Sequence, residues 1–196
     1  MKSITQFDCD MQGVENYIDT KPLVVVADDN PIHLKLLVSV LKGEGYEVIG
    51  ANNGRECLHV SRQKIPQAVV LDVMMPEQTG FEVCETMRSD PKLSDIPVLF
   101  VSAFSDTQHI DEGMSSGGND YLVKPVSRNV LVSRLNRLIN QHEREMESER
   151  LFSLYEKLVH DQNDMIAELN FDLSIRFANK PFVNLFKGDF AVMGNF

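Results

Sequence analysis

The sequence predicts an α/β protein built on an open, five-stranded parallel sheet that is doubly wound, with helices on both faces. Two observations predict this class. Between residues 22 and about 140, continuous apolar runs recur that are typical of strands buried on both faces. Stretches with apolar residues at helical spacing alternate with these runs. Alternating strands and helices indicate a parallel sheet with helical crossovers.

The elements follow in order along the chain. The first helix is predicted after Asn30, a good N-cap, with Pro31 at its first position and Gly43 near its end. Further helices are predicted at about 54–64, 80–89 and 106–116 and from 127 on. The predicted strands are 22–27, 46–51, 67–72, 96–102 and 120–124.

Composition sets limits on function. The chain has 196 residues, of which 43% are hydrophobic and 24% charged, so it has room for one folded domain and a smaller addition. Its net charge of −10 argues against nucleic acid as a partner. No apolar run reaches the roughly 18 residues of a membrane span. The N-terminal extension, 1–21, lacks a secretion signal, and the three cysteines form no CxxC pair. We therefore expect a cytoplasmic protein without a membrane partner.

Polar side chains follow the predicted strands at their carboxyl ends, where open parallel sheets bind ligands. Asp28 and Asp29 follow the first strand, Asp72 and Ser102 end the third and fourth, and Lys124 ends the fifth. Clustered carboxylates tolerate their mutual repulsion when they hold a hard cation such as Mg²⁺. Lys124 and Ser102 offer donors for phosphate oxygens. Asp72 on the central strand is then a candidate nucleophile for phosphoryl transfer.

Four motifs resemble, in order and spacing, the receiver domain of two-component response regulators. They are VVVADDNP, VVLDVMMPEQTGFEV, IPVLFVSA and DYLVKPV. The resemblance covers residues 22–140 and implies a flavodoxin-like fold. It also implies that Asp72 accepts a phosphoryl group from a histidine kinase or a histidine phosphotransfer protein. The opening pair of aspartates then belongs to a magnesium site.

The same resemblance implies the roles of individual residues around that magnesium ion. Asp29 and Asp72 would ligate Mg²⁺ together with the backbone carbonyl of Met74, and Asp28 would orient a metal-bound water. Ser102 and Lys124 would hold the phosphoryl oxygens.

The resemblance further implies a conformational switch. Tyr121 matches the aromatic switch position, and Ser102 would move toward the phosphoryl group and leave space for it. A cis peptide is implied between Lys124 and Pro125. Residues that flank the path of an attacking water set the lifetime of the acyl phosphate. Here they are Met74 and Phe104, both bulky and apolar, so we expect slow self-dephosphorylation.

Beyond residue 127 the sequence predicts a long helix. Residues 141–165 would continue the last receiver helix as a coiled-coil linker, and residues 127–165 would form a parallel homodimer or a solvated, broken helix. The heptad pattern is imperfect, because His142 and Glu145 fall at core positions. The apolar stripe consists of Leu131, Leu135, Leu138, Leu151, Leu154, Leu158 and Met165.

The tail, 166–196, predicts a strand, a turn near residues 170–172, a second strand and a short helix capped by Asn179. It resembles the opening of a PAS sensor domain, and we expect it to be the start of a truncated one; the alternative is an amphipathic hairpin that packs on the coil. His160 lacks the surrounding residues of a histidine kinase phosphorylation site and is interpreted as an exposed helical residue.

Two function classes remain open. The first is a non-enzymatic phosphorylation switch that signals through a dimeric helix to a downstream module, such as a nucleotide-cyclising enzyme, a phosphodiesterase or a kinase. The second is a stand-alone phosphotransfer or protein-interaction module without enzymatic output. A haloacid-dehalogenase-like phosphatase is disfavoured because such enzymes usually show Asp-x-Asp, whereas Asp72 is followed by Val73 and Met74. No basic recognition helix for DNA is visible.

Overall fold

The computed structural model describes residues 21–172 and 174–185. Almost all of the predicted N-terminal extension, and the end of the tail, lie outside the described residues. Five strands form one parallel sheet in the order β2-β1-β3-β4-β5. This confirms the predicted fold class. The strands are β1 Leu23–Ala27, β2 Glu47–Ala51, β3 Ala68–Asp72, β4 Val98–Ser102 and β5 Asp120–Val123.

Helices cover both faces of the sheet because the strand side chains are apolar on both. Val25 and Val69 belong to one buried cluster, whereas the neighbouring Val24 and Val70 belong to the other. This alternation follows from the two-residue period of a strand. The five helices of this domain are α1 Pro31–Gly43, α2 Gly54–Lys64, α3 Gly80–Arg88, α4 Thr107–Ser115 and α5 Arg128–Asp161.

Side-chain caps begin four of these helices, and the cap at Asn30 confirms the one that the sequence predicted among them. Asn30 accepts hydrogen bonds from the backbone N–H groups of Ile32 and His33 at α1. Thr79 forms a reciprocal capping box with Glu82 at α3. Asn53 caps α2, and Asp106 caps α4. The caps define where the loops between the strands and the helices end, and these loops carry the candidate site.

The leucine stripe of α5 divides into two parts. Leu131, Leu135 and Leu138 are buried in the cluster that also holds Val24 and Val26. Leu151 and the apolar residues just after it are exposed. The first half of the stripe therefore packs inside the receiver domain and is not available for pairing with a second helix.

The described residues divide into two compact units, one that ends at Ile139 and one that begins at Asn140. In the second unit, α5 ends at Asp161, four residues before the predicted end. β6, Ala167–Leu169, pairs antiparallel with β7, Ile175–Ala178, and α6, Lys180–Leu185, follows. No helix in the described part of the chain is long and apolar enough to cross a membrane.

Asn179 holds the parts of the second unit together. Its side chain is fully buried, and its amide donates to the carbonyls of Val159 at 3.0 Å and Asp164 at 2.7 Å. Its Oδ1 accepts the N–H groups of Ile166 at 3.0 Å and Phe182 at 3.3 Å. One side chain thus joins the end of α5, the start of β6 and the first turn of α6, and this competes with extension of α5.

Candidate functional site

Three carboxylates meet where β1 and β3 end. Oxygen atoms of Asp28, Asp29 and Asp72 lie within 4.8 Å of one another; Asp28 and Asp72 are buried and Asp29 is exposed. Asp28 Oδ1 accepts the Asn30 N–H at 2.9 Å, and Asp72 Oδ1 accepts the Val73 N–H at 3.0 Å. The strand order places β1 beside β3, so residues 44 positions apart form one acidic cluster.

Lys124 supplies the positive charge of the site. Its Nζ donates to Asp28 Oδ2 at 2.8 Å and lies 3.2 Å from Asp72 Oδ1. Its backbone N–H donates to the Ser102 carbonyl at 2.7 Å, which holds the end of β5 against β4. The Lys124–Pro125 peptide bond is cis. Lys124, which follows β5, therefore reaches past the end of β4 to contact both buried carboxylates.

The charges of the site are only partly compensated. Burial raises the pKa of the Asp72 carboxyl; Lys124 opposes this effect and Asp28 adds to it, and the net pKa is raised. Burial works to lower the pKa of Lys124, but its hydrogen bond to Asp28 and the negative charges of both aspartates outweigh it, so that pKa is raised. One ammonium thus faces three carboxyl groups, and an oxygen-rich, negatively charged cluster of this kind fits a hard divalent cation.

Two residues at the site were missed by the sequence reasoning. His33 Nδ1 lies 3.8 Å from Asp28 Oδ2. Its position in the first turn of the helix that follows the two aspartates was the signal in the sequence that could have placed it at the site. Gly80 starts α3 against the end of β3, where a Cβ would lie 2.3 Å from the Asp72 carbonyl oxygen. Any larger residue at position 80 would displace the backbone of the candidate nucleophile.

The two predicted switch residues share one partner, Phe104. The Ser102 side chain is fully buried, and its Oγ accepts the Phe104 N–H at 3.2 Å. The hydroxyl of the half-buried Tyr121 donates to the Phe104 carbonyl at 3.2 Å. The Tyr121 ring packs near Phe100, and a Cβ at Gly113 would lie 3.2 Å from both rings. Gly113 thus allows α4 to approach this aromatic layer closely.

The ring of Phe104 lies against His109. The two ring centroids are 4.2 Å apart and the planes differ by 4°. His109 Nδ1 is 2.7 Å from both carboxylate oxygens of Asp106, and this hydrogen bond lowers the pKa of Asp106. The other predicted lifetime residue, Met74, is 57% exposed in the loop after β3.

His160 differs from its interpretation as an exposed residue. It is half-buried, its Nδ1 accepts the Lys180 N–H at 3.2 Å, and its ring lies 5.6 Å from that of Phe177. His160 is half-buried because the β6–β7 hairpin and the residue that begins α6 lie against this side of α5. The spacing of residues within a helix cannot show a contact with a later segment of the chain. The contact is structural and lies in the second compact unit.

Comparisons with known proteins show the family of this chain. The family model of the response regulator receiver domain matches residues 24–136. Because the match spans more than half of the chain, the chain belongs to the response regulator receiver domain family. The chain is similar to two-component response regulators, as the four motifs indicated.

The chain matches a different share of the length of each of two relatives. The "Probable transcriptional regulator ycf27" of Guillardia theta is 35% identical over 124 residues, which are 63% of this chain and 48% of that protein. The chain therefore spans about half the length of this relative. The DNA-binding response regulator MtrA of Mycolicibacterium smegmatis is 32% identical over 166 residues, 81% of this chain and 71% of that protein.

Solved structures show the same fold. The chemotaxis protein CheY4 of Vibrio cholerae superposes with a TM-score of 0.59 at 28% identity, over 61% of this chain and 99% of that chain. The receiver domain of the Francisella response regulator 1452 gives a TM-score of 0.58 at 30% identity, over 62% and 98%. In both cases the match covers nearly the whole of the solved chain.

Proposed function

We propose that this chain is a non-enzymatic phosphorylation switch that accepts a phosphoryl group on Asp72. The observation that carries the proposal is the convergence of three carboxylates, Lys124 and the buried Ser102 on one edge of the sheet. The donor is a phosphohistidine of a histidine kinase or of a histidine phosphotransfer protein. Acetyl phosphate serves as a small substitute in the test.

The transfer is a substitution at phosphorus. An Asp72 carboxylate oxygen forms the new bond to phosphorus, and the bond from phosphorus to the donor nitrogen breaks. The donor imidazole leaves with the electron pair and takes a proton. Asp72 reacts in its ionised form, and Lys124, which already contacts it, stays beside the transferred group to neutralise the phosphoryl oxygens. The Ser102 hydroxyl donates to one of these oxygens.

Mg²⁺ is the proposed cofactor, and it would neutralise charge on the phosphoryl oxygens when it is bound. Asp29 and Asp72 would hold it with the Met74 carbonyl, while Asp28 orients a bound water. The excess of carboxylates over ammonium groups supports this assignment. Calorimetric titration with Mg²⁺ tests it. Asp29→Asn should weaken binding at least tenfold, whereas the exposed Asp95→Asn should not change it.

Phosphoryl acceptance is tested by intact-mass spectrometry with Mg²⁺ and acetyl phosphate. The unaltered chain should gain one phosphoryl group, Asp72→Asn should gain none, and the control Asp95→Asn should label normally. Ser102→Ala should still label but should lose the accompanying conformational change. Labelling of Asp72→Asn at the normal rate would contradict the assignment of the nucleophile.

We propose that the output passes through α5 to a downstream module, with a second copy of the chain as the partner of that helix. Leu151, Leu154 and Leu158 are more than half exposed and recur at helical spacing on one face, which supports pairing beyond the receiver. The β6–β7 hairpin and the short helix after Asn179 support our proposal that a PAS-like sensor segment begins at residue 166.

A second candidate output is DNA binding. It is favoured by the similarity to MtrA, which extends beyond the receiver to 81% of this chain. The net charge of −10 argues against it. A gel-shift assay with random duplex DNA at low salt, with and without phosphorylation, separates the two: a shift that weakens with added salt supports DNA binding, and its absence supports a protein output.

A further inference from the structure

We infer that Glu77 is a positioning residue, whose left-handed backbone shapes the loop between β3 and α3 and thereby holds the Met74 carbonyl in place for a cation. This loop, residues 73–79, is called the β3–α3 loop below. The role rests on the proposed function, because the Met74 carbonyl is the ligand that we propose for Mg²⁺. It belongs to the backbone of a residue whose side chain is largely exposed.

Glu77 has a backbone conformation that residues with a side chain rarely adopt. Its φ is 67°, in the left-handed region, and among the described residues Ile65 is the only other residue besides glycine with a positive φ. The Gln78 N–H donates to the Pro76 carbonyl at 2.8 Å, so the chain closes a three-residue turn around Glu77. A hydrogen bond of this span around a residue with positive φ is typical of a rare and strained form of the γ-turn.

Hydrogen bonds on either side of Glu77 hold the strained turn. The Gly80 N–H donates to the Val73 carbonyl at 2.9 Å and closes the β3–α3 loop at its base. The side-chain amide of Gln78 donates to Thr86 Oγ1 at 3.4 Å and so ties the loop to the middle of α3. A strained residue persists only where the structure around it fixes its conformation, and these bonds supply that constraint.

Strained residues cluster at ligand sites, and the β3–α3 loop carries a candidate ligand. Met74 lies between Val73, whose carbonyl closes the loop, and Pro76, whose carbonyl accepts the hydrogen bond of the turn. The direction of the Met74 carbonyl therefore depends on the shape of the loop, and that shape requires a positive φ at Glu77. If only a fraction of the molecules has this shape, the affinity for the cation falls in proportion to that fraction.

The charge of Glu77 is the alternative explanation for any effect of this residue. Its carboxylate lies 3.8 Å from the Arg55 guanidinium, and the two side chains are 79% and 88% exposed. An ion pair at such exposure contributes little, because water screens it. Variants that all remove the charge but differ in their tolerance of positive φ separate the two roles. Glycine and asparagine tolerate a positive φ, whereas the β-branched valine does not.

Calorimetric titration of the full-length chain with Mg²⁺ is the test. Glu77→Gly and Glu77→Asn should bind Mg²⁺ within about twofold of the unaltered chain or more tightly, because a positive φ costs them less. Glu77→Val should bind about fivefold more weakly or worse, because it must pay the larger cost of a positive φ. Glu47→Val, at the exposed start of β2, removes the same charge where valine is well tolerated and should leave the affinity unchanged.

Amide hydrogen exchange of the metal-free protein distinguishes a change of the loop from a general loss of stability. The Gly80 N–H, which closes the β3–α3 loop, should exchange at least about fivefold faster in Glu77→Val but not in Glu77→Asn, while exchange in β1 stays unchanged in both. Equal Mg²⁺ affinity of Glu77→Val and Glu77→Asn would overturn the inference, as would a fivefold loss of affinity in Glu77→Gly. If the unaltered chain itself fails to bind Mg²⁺, the proposed function fails instead.

Discussion

Lys124 Nζ donates a 2.8 Å hydrogen bond to Asp28 Oδ2, although the two residues are 96 positions apart in the chain. The same ammonium lies 3.2 Å from Asp72 Oδ1. In this conformation Lys124 compensates the carboxylates that we propose will hold a cation. Lys124 is therefore a structural counter-charge in this conformation, and in the transfer that we propose it would also neutralise a phosphoryl oxygen.

Removal of this counter-charge should destabilise the metal-free protein. Lys124→Met retains the length of the side chain but leaves Asp28 and Asp72 without a cation. We expect the free energy of unfolding at pH 7 to fall by about 1–3 kcal/mol, measured by urea denaturation. Added Mg²⁺ should restore part of the loss. Lys92→Met, at an exposed loop position, is the control, and an equal loss in both variants would contradict this role for Lys124.

Asp72→Asn should stabilise the metal-free protein at neutral pH. The raised pKa of Asp72 means that its ionised form is disfavoured in the folded state, so the folded state loses stability as the pH rises from the unfolded pKa through the folded one. The variant escapes this loss, and we expect a gain of roughly 1 kcal/mol. The gain should appear above about pH 4 and vanish below it. A gain that persists at pH 3 would point to a cause other than charge.

The lifetime of the phosphorylated state should be long if Met74 and Phe104 limit the access of water. The double variant Met74→Asn, Phe104→Glu should speed decay about tenfold or more, since polar side chains can orient an attacking water. Loss of the phosphoryl group is followed by intact mass after removal of the donor. His109→Ala is a useful partner, because it releases the Phe104 ring without changing its polarity. An unaltered decay rate in the double variant would exclude the apolar gate.

Dimerisation should depend on the exposed part of α5. Light scattering at micromolar concentration should give a dimer for the full chain and a monomer for a variant with serine at positions 151, 154 and 158. Alanine at the exposed Ser148, Ser153 and Glu156 is the matched control and should remain dimeric. Leu131, Leu135 and Leu138 are unsuitable targets, because they are buried in the receiver core and their loss would unfold it. If the unaltered chain is a monomer, the proposal that a second copy of the chain is the partner of α5 is wrong.

Asn179→Ala should loosen the second unit and leave the receiver intact. The variant loses four side-chain hydrogen bonds at a fully buried position, which leaves the Ile166 N–H and the Val159 carbonyl without this partner. Amide exchange at Ile166 should speed up at least tenfold, while exchange in β1 and β3 stays unchanged. Asn170→Ala, in the exposed turn of the same hairpin, serves as the comparison and should have a small effect.

Much of the fold was predictable, because strand burial and helix capping leave local signals. The runs before Asp28 and Asp72 and the cap at Asn30 placed these elements to within a residue or two. The end of α5 was not predictable to the same degree. No proline or glycine stops the helix near residue 161, and its end coincides with contacts from Asn179, a residue 18 positions further on.

The fold class and the residues at the sheet edge could be predicted from the order of residues alone, because in a parallel sheet every strand ends on the same side and the residue after each apolar run must lie there. The partner of each side chain, in contrast, became known from the folded structure. Lys124 bonds to Asp28 because the parallel strands β1 and β5 end at the same edge of the sheet, and the Phe104 ring stacks on His109 because α4 begins beside the loop. Such contacts depend on the distances between elements, and no local pattern in a chain encodes those.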